Sequence, residues 1–314
     1  MTTTLLHAAT LAGPTANLVD DVRRMLALHF MVNAFRAGAV AAVLGAVIGW
    51  FMVLRRQSFV GHTLAVVSFP GAAAAIWLGI SATAGYFAGS ILAALVIALV
   101  PRTLSGRAGS QESAVIGTVQ AFALAAGALF ISLYGGFLDS VTGLLFGSFL
   151  GVSDGQVATL AIVAVVVLAT LTVLARPLFF ATIDRDVASA RGVPTRWLSF
   201  AFLVVLGCTA AEVSQITGAL LVFALLVMPA AAAQQLTARP VLGLCLSVVL
   251  GLVVVWAALA VAFYSTWPVG FFVSTFGFAV YVGAAGIRLV RSAGLRGVGR
   301  RAPRRSVTTR VVPA

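Results

Sequence analysis

The chain has 314 residues, 61% of them hydrophobic and only 9% charged, with a mean hydropathy of +1.10. Soluble domains carry about 25% charged residues, so this composition excludes a soluble fold and points to an all-α, polytopic membrane bundle. The net charge of +12 comes entirely from arginine, and the arginines stand in short loops and at the C-terminus, which fits the positive-inside rule and excludes a nucleic-acid-binding protein.

The absence of lysine has a mechanistic consequence. A P-loop needs its lysine to hold the β- and γ-phosphates, so ATP-driven work by this chain requires an ATPase on another chain. Cys208 and Cys245 both fall in apolar runs and imply neither a disulfide framework nor a cysteine metal site.

Residues 1–17 lack the basic start and cleavage motif of a signal peptide. Asp20 to His29 reads as a short amphipathic interfacial helix, with Arg23 and Arg24 opposite Met25 and Leu28. Apolar runs long enough to span a bilayer follow at 30–54, 59–80, 84–101, 113–134, 156–179, 197–216, 218–237, 241–264 and 270–290. The expectation is nine spans, or eight if one run is re-entrant. Arg55 and Arg56, Arg102 and Arg107, Arg185 to Arg196, Arg239, and Arg288 onward then share one side, the cytoplasm. The N-terminus lies outside and the C-terminus inside.

The segment Gly135 to Gly155 is broken by glycines and by Asp139 and Asp154, and reads as an outer half-helix lining a mouth. Small residues such as Gly45 and Gly49 allow close helix approach in lipid. Residues 1–29 form an N-terminal segment, 30–290 the membrane domain, and 291–314 an arginine-rich disordered tail that touches anionic membrane lipid.

The polar island between Thr182 and Arg196 stands out between two apolar runs. Thr182 or Asp184 can cap a short helix, and Gly192 with Pro194 ends it. Such a helix, on the arginine-rich side, suits contact with a soluble partner. Further on, Gly218 heads a span that carries Pro229, a residue that removes a backbone donor and can kink it.

Ionisable groups at membrane depth are costly and therefore informative. His62, early in the second span, offers imidazole to a divalent ion. Glu212, among Ser214, Gln215 and Thr217, offers a carboxylate if its segment unwinds into a pore. Asp139 and Asp154 flank the outer half-helix, as caps or as minor path residues.

The run GALLVFALLVMPAAAA at 218–233 resembles the signature span of the metal-ion ABC transporter permeases, the zinc and manganese uptake family. DRDVASARGVP at 184–194 resembles that family's cytoplasmic coupling loop. Val53 to Arg56, Gly61 with Pro70 and Gly71, and Leu145 to Ser148 extend the match, which runs from about Phe30 to Arg288. The resemblance implies a bacterial inner-membrane importer subunit that carries zinc or manganese as cargo, with no covalently bound cofactor. Its expected partners are an ABC ATPase, an extracytoplasmic metal-binding protein and a second copy of the chain. In that reading Asp184, Arg185, Asp186, Arg191 and Gly192 couple to the ATPase. Pro70, Gly71, Gly218 and Pro229 shape the gate. His62, Glu212 and Asp139 are the candidates for the ion path; the family does not normally carry an acid at the position of Glu212, which is a candidate on the cost of an acid at membrane depth alone. The family usually has Asp after the glycine of the second span and His four positions later; here those positions are His62 and Val66. A self-contained secondary transporter would instead show inverted repeats and paired broken helices. An intramembrane enzyme would need a constellation that three histidines without HExxH spacing do not supply.

Overall fold

The computed structural model describes residues 18–99, 108–134, 151–219 and 221–299, together with Gly143, Gly147 and Phe149. Eleven helices occupy these residues. They are α1 (Leu18–Leu26), α2 (His29–Leu54), α3 (Ser58–Trp77), α4 (Ala82–Leu99), α5 (Ala108–Tyr134), α6 (Asp154–Ile183), α7 (Arg185–Ala190), α8 (Thr195–Thr217), α9 (Val222–Leu236), α10 (Pro240–Phe263) and α11 (Val269–Gly299). Helices are what a bilayer demands of such apolar runs, because each backbone donor and acceptor must be satisfied within its own segment.

Eight of these helices are long and apolar enough to cross a membrane. The exception among the nine expected spans is α9, whose 15 residues rise about 22 Å against a hydrocarbon core of about 30 Å. The cause is local. Gly218 takes φ 75° and ψ 153°, a region open to glycine, and helix resumes only at Val222.

The ends of the helices sort cleanly. Arg55, just past α2, donates from Nη1 to Thr182 Oγ1 at 3.2 Å and from Nη2 to Ser199 Oγ at 3.0 Å, tying α2 to the end of α6 and the start of α8. Gln234 near the end of α9 donates to the Trp50 carbonyl at 3.0 Å. Gly243, near the start of α10, packs on the Trp50 ring. This end therefore gathers Arg55, Arg56, Arg185, Arg191, Arg196 and Arg239, and is the inner end by charge. At the opposite end His29 Nε2 lies 3.1 Å from Asp154 Oδ2 and Asn33 Nδ2 donates to the Val152 carbonyl at 3.3 Å.

The centre of the bundle is α2, α3 and α8, whose apolar windows are 67%, 72% and 72% buried, against 17% for α5 and 22% for α6. Small residues hold it together, as lipid packing requires. Gly71 of α3 lies against the backbone of Gly85 and Gly89 of α4, where a Cβ on Gly71 would collide with the Gly85 carbonyl. Gly49 of α2 lies against the Leu226 carbonyl of α9 in the same way, and Gly45 faces Leu225 and Leu226 at ordinary contact distance.

The glycine-broken segment before α6 is described only at Gly143, Gly147, Phe149 and from Gly151, so its expected half-helix, with Asp139, lies outside the described residues. Gly147, at φ 75°, rests directly on the backbone of Ile216 to Gly218, and Phe149 is buried in the core. At the C-terminus, α11 runs on to Gly299, so the stretch from Arg291 begins as helix rather than as disordered tail.

Candidate functional site

The polar island forms the helix that its sequence forecasts. Asp184 is its cap: Oδ1 accepts from Asp186 N at 3.1 Å and from Val187 N at 2.9 Å, satisfying two orphan donors of the first turn. Thr182, the other capping candidate, instead donates to the Leu178 carbonyl inside α6. At the far end Gly192 N donates to Ser189 O and Val193 N to Ala188 O, both at 3.0 Å. That is the paired closure of a Schellman motif, with Gly192 at φ 80° in the left-handed position. A six-residue helix has little intrinsic stability, and these two caps hold its shape.

Only Ala188 of α7 is buried; Asp184, Arg185, Asp186, Arg191 and Gly192 are all exposed. None of their charged groups is in an ion pair among the described residues. Its neighbour Trp197 is 72% exposed. The structure thus brings the five expected coupling residues onto one projecting knob at the inner end.

The expected path residues are not brought together. His62 sits on the first turns of α3, half-buried, with its ring 5.1 Å from the Phe223 ring of α9 in an edge-to-face contact. Its Nδ1 is buried with no hydrogen-bond partner among the described residues. Val66, one turn further along, is buried, and no group of three or more His, Cys, Asp or Glu that could hold a metal occurs among the described residues.

Glu212 does not meet the condition set for it. Its segment does not unwind, because α8 continues to Thr217. The side chain is 1% exposed, and neither carboxyl oxygen has a hydrogen-bond partner among the described residues. The nearby hydroxyls are committed to their own helix, with Thr209, Ser214 and Thr217 donating to the carbonyls of Val205, Ala210 and Val213. Ser214 faces α3, its Oγ 3.0 Å from Ser68 Oγ. Ser214 lies two positions beyond Glu212, about 200° around the helix, so Glu212 faces away from α3 and from His62. Cys208, one turn nearer the inside on that face, lies within electrostatic range of it. One turn outward, Gln215 and Ile216 line a cavity of about 200 Å³ with Thr83, Gln156 and Thr159.

The gate candidates are packing positions. Pro70 lies within α3 against Gly127 of α5, beside the Gly71–Gly85 contact. Pro229 lies buried inside α9, which continues past it, and Gly218 makes the break before α9. Sequence reasoning missed the polar seam of α3, α4 and α8, where Ser68 meets Ser214 and Ser90 donates to the Leu64 carbonyl at 2.9 Å. The available signal was serine inside an apolar run. It also passed over the pair His29–Asp154, which joins α2 to α6 beside the Ser153 capping box.

Eight helices long and apolar enough to cross a membrane, with a capped, charged knob on the arginine-bearing side, are those of a multi-pass membrane protein. The profile of the ABC 3 transport family matches residues 27–287, and the chain belongs to that family. It is 27% identical over 238 residues to the manganese transport system membrane protein MntC of Halalkalibacterium halodurans, covering 76% of this chain and 80% of that protein. It is 30% identical over 211 residues to the chelated iron transport system membrane protein YfeC of Yersinia pestis, covering 67% and 70%. In fold it resembles PsaBC from Streptococcus pneumoniae, solved in complex with Fab, with a TM-score of 0.76 at 21% identity over 85% of this chain and 95% of that one. It also resembles an inward-facing putative metal-chelate type ABC transporter, at TM-score 0.65 and 18% identity over 92% and 97%. Family membership sets aside the self-contained secondary transporter.

Proposed function

We propose that this chain is the gate of a divalent-metal importer, moved by a separate ATPase that grips α7. The observation that carries the reading is the knob itself: six helical residues, capped at both ends, charged, and exposed beside the inner ends of α6 and α8. Alternating charges on a short rigid helix set its register in a complementary groove, and α7 is joined directly to two spans that a pull would tilt. The cargo fits zinc or manganese; relatives named for manganese support the second. The partners of this reading are an ABC ATPase, an extracytoplasmic protein that delivers the metal, and a second copy of the chain.

Sparse ligands suit such a gate, since a deep site of high affinity would hold the ion rather than pass it. His62 supplies an imidazole nitrogen near the inner end, and Glu212 a carboxyl group with no hydrogen-bond partner among the described residues. Selectivity then rests largely on the delivering protein.

The test is uptake of manganese by the chain reconstituted with its ATPase and delivering protein. Arg191→Glu reverses a charge on the knob far from the bundle core. Loss of uptake and of ATPase co-purification, with thermal stability unchanged, is the expected outcome; normal uptake overturns the coupling assignment. His62→Ala lowers uptake several-fold while ATPase binding persists, and unchanged kinetics would retire His62 from the path.

A further inference from the structure

At the inner end, between the α2–α3 turn and the starts of α7 and α8, lies a cavity of about 720 Å³. Arg55, Arg56, Gln57 and Arg185 line its polar side, and Phe59 and Ile116 its apolar side. No Asp or Glu is among its described lining residues. Arg55 is held in place by Gln57, Thr182 and Ser199, with its guanidinium 5.2 Å from the centre of the Phe202 ring. Arg56 and Arg185 are in no ion pair among the described residues. Arg56 also takes φ 57°, a region few residues other than glycine occupy.

Three arginines around one cavity repel a divalent cation, so this cavity is not the exit of the cargo. They attract an anion. Arginine forks match phosphate geometry, and basic pockets between membrane helices on the cytoplasmic side accept lipid headgroups. The volume falls within the range of ligand sites and far exceeds what one phosphate ion fills. Phe59, 47% exposed, gives the cavity an apolar side on which an acyl chain can lie.

We propose that this cavity binds the phosphate-bearing headgroup of an anionic membrane lipid, held by Arg56 from the α2–α3 turn and Arg185 from α7. The headgroup bridges the bundle to the knob, so the lipid acts as a brace for α7. Its binding is independent of any transport partner.

The experiment uses the full-length chain in nanodiscs of phosphatidylcholine with about one-fifth phosphatidylglycerol, a fraction that leaves room for preference. Native mass spectrometry reads retained lipid. The native chain keeps phosphatidylglycerol in preference to phosphatidylcholine. Arg56→Asn, which removes the charge yet tolerates the positive φ, keeps about fivefold less, the effect of one arginine near an anionic headgroup. Arg185→Gln does the same through an exposed position that folding does not depend on. Arg239→Asn, at the inner end but outside the cavity, changes nothing. Retention at the native level by the two cavity variants overturns the proposal, as does an equal loss with Arg239→Asn, which would mean a diffuse surface charge. Inorganic phosphate added to nanodiscs of phosphatidylcholine alone forms the other arm. Stabilisation there that depends on Arg56 assigns the cavity to a soluble anion and overturns the lipid.

Discussion

Two regions of this molecule handle charge in opposite ways. The knob around α7 holds Asp184, Arg185, Asp186 and Arg191 in the open, with the Asp186 and Val187 N–H groups capped by Asp184 and the far end closed through Gly192 and Val193. Glu212, on α8, places a carboxyl group where there is no exposure to speak of and no hydrogen-bond partner for either oxygen among the described residues. Exposed charge costs the fold little and is worth little to it. A buried unpartnered carboxylate is among the costliest groups a bundle can keep. The knob is thus shaped for something outside the chain, whereas Glu212 is retained against the interest of stability.

That contrast is sharpest at Glu212 itself. Glu212→Leu removes an unmet polar group and leaves an apolar side chain of similar size. Unfolding of the variant in detergent should be harder by about 1–3 kcal/mol. Manganese uptake should fall at least tenfold, the mark of a residue kept for function. A variant that transports normally would make Glu212 an accident of the interface, and one that is less stable would make it structural. Asp184→Ala comes next in size. Loss of an N-cap costs about 1 kcal/mol, here confined to α7, so global unfolding stays in place while uptake drops several-fold. Asp184→Asn keeps an accepting oxygen and should transport nearly as the native chain does. Equal effects of the two substitutions would show that the charge, not the cap, is what matters.

The knob was legible in the sequence because everything that builds it is local. Asp184, Gly192 and Pro194 lie within one short segment, and capping rules act over three or four residues. The spans were legible for a similar reason, since the apolar runs and the arginines that end them are contiguous. Glu212 was found as a residue but misjudged in its setting. The apolar run 197–216 already carried the span past Glu212, but nothing local says that its side chain is shut in, or that the far-off Gly147 packs on the break that follows. His62 was seen, but its neighbour Phe223 comes from a helix more than a hundred residues away. The Ser68–Ser214 contact was invisible, because only the packing of α3 on α8 makes two ordinary serines into a pair.

The smallest effect lies at the outer end, and it tests whether exposed charge is as idle there as the contrast implies. His29 Nε2 stands 3.1 Å from Asp154 Oδ2, but the two side chains are 70% and 66% exposed. Water and salt screen such a pair, and exposed ion pairs contribute about 0.2–1 kcal/mol. The buried tie beside it, Asn33 Nδ2 to the Val152 carbonyl, carries more of the burden of joining α2 to α6. His29→Gln should therefore lower stability, measured by unfolding in detergent, by less than about 1 kcal/mol and leave uptake unchanged. Asn33→Leu, which leaves the Val152 carbonyl without its donor, should cost more. Were His29→Gln the more damaging of the two, the exposed pair would be a latch on the outer gate, and the outer end would have to be grouped with α7 rather than set apart from it.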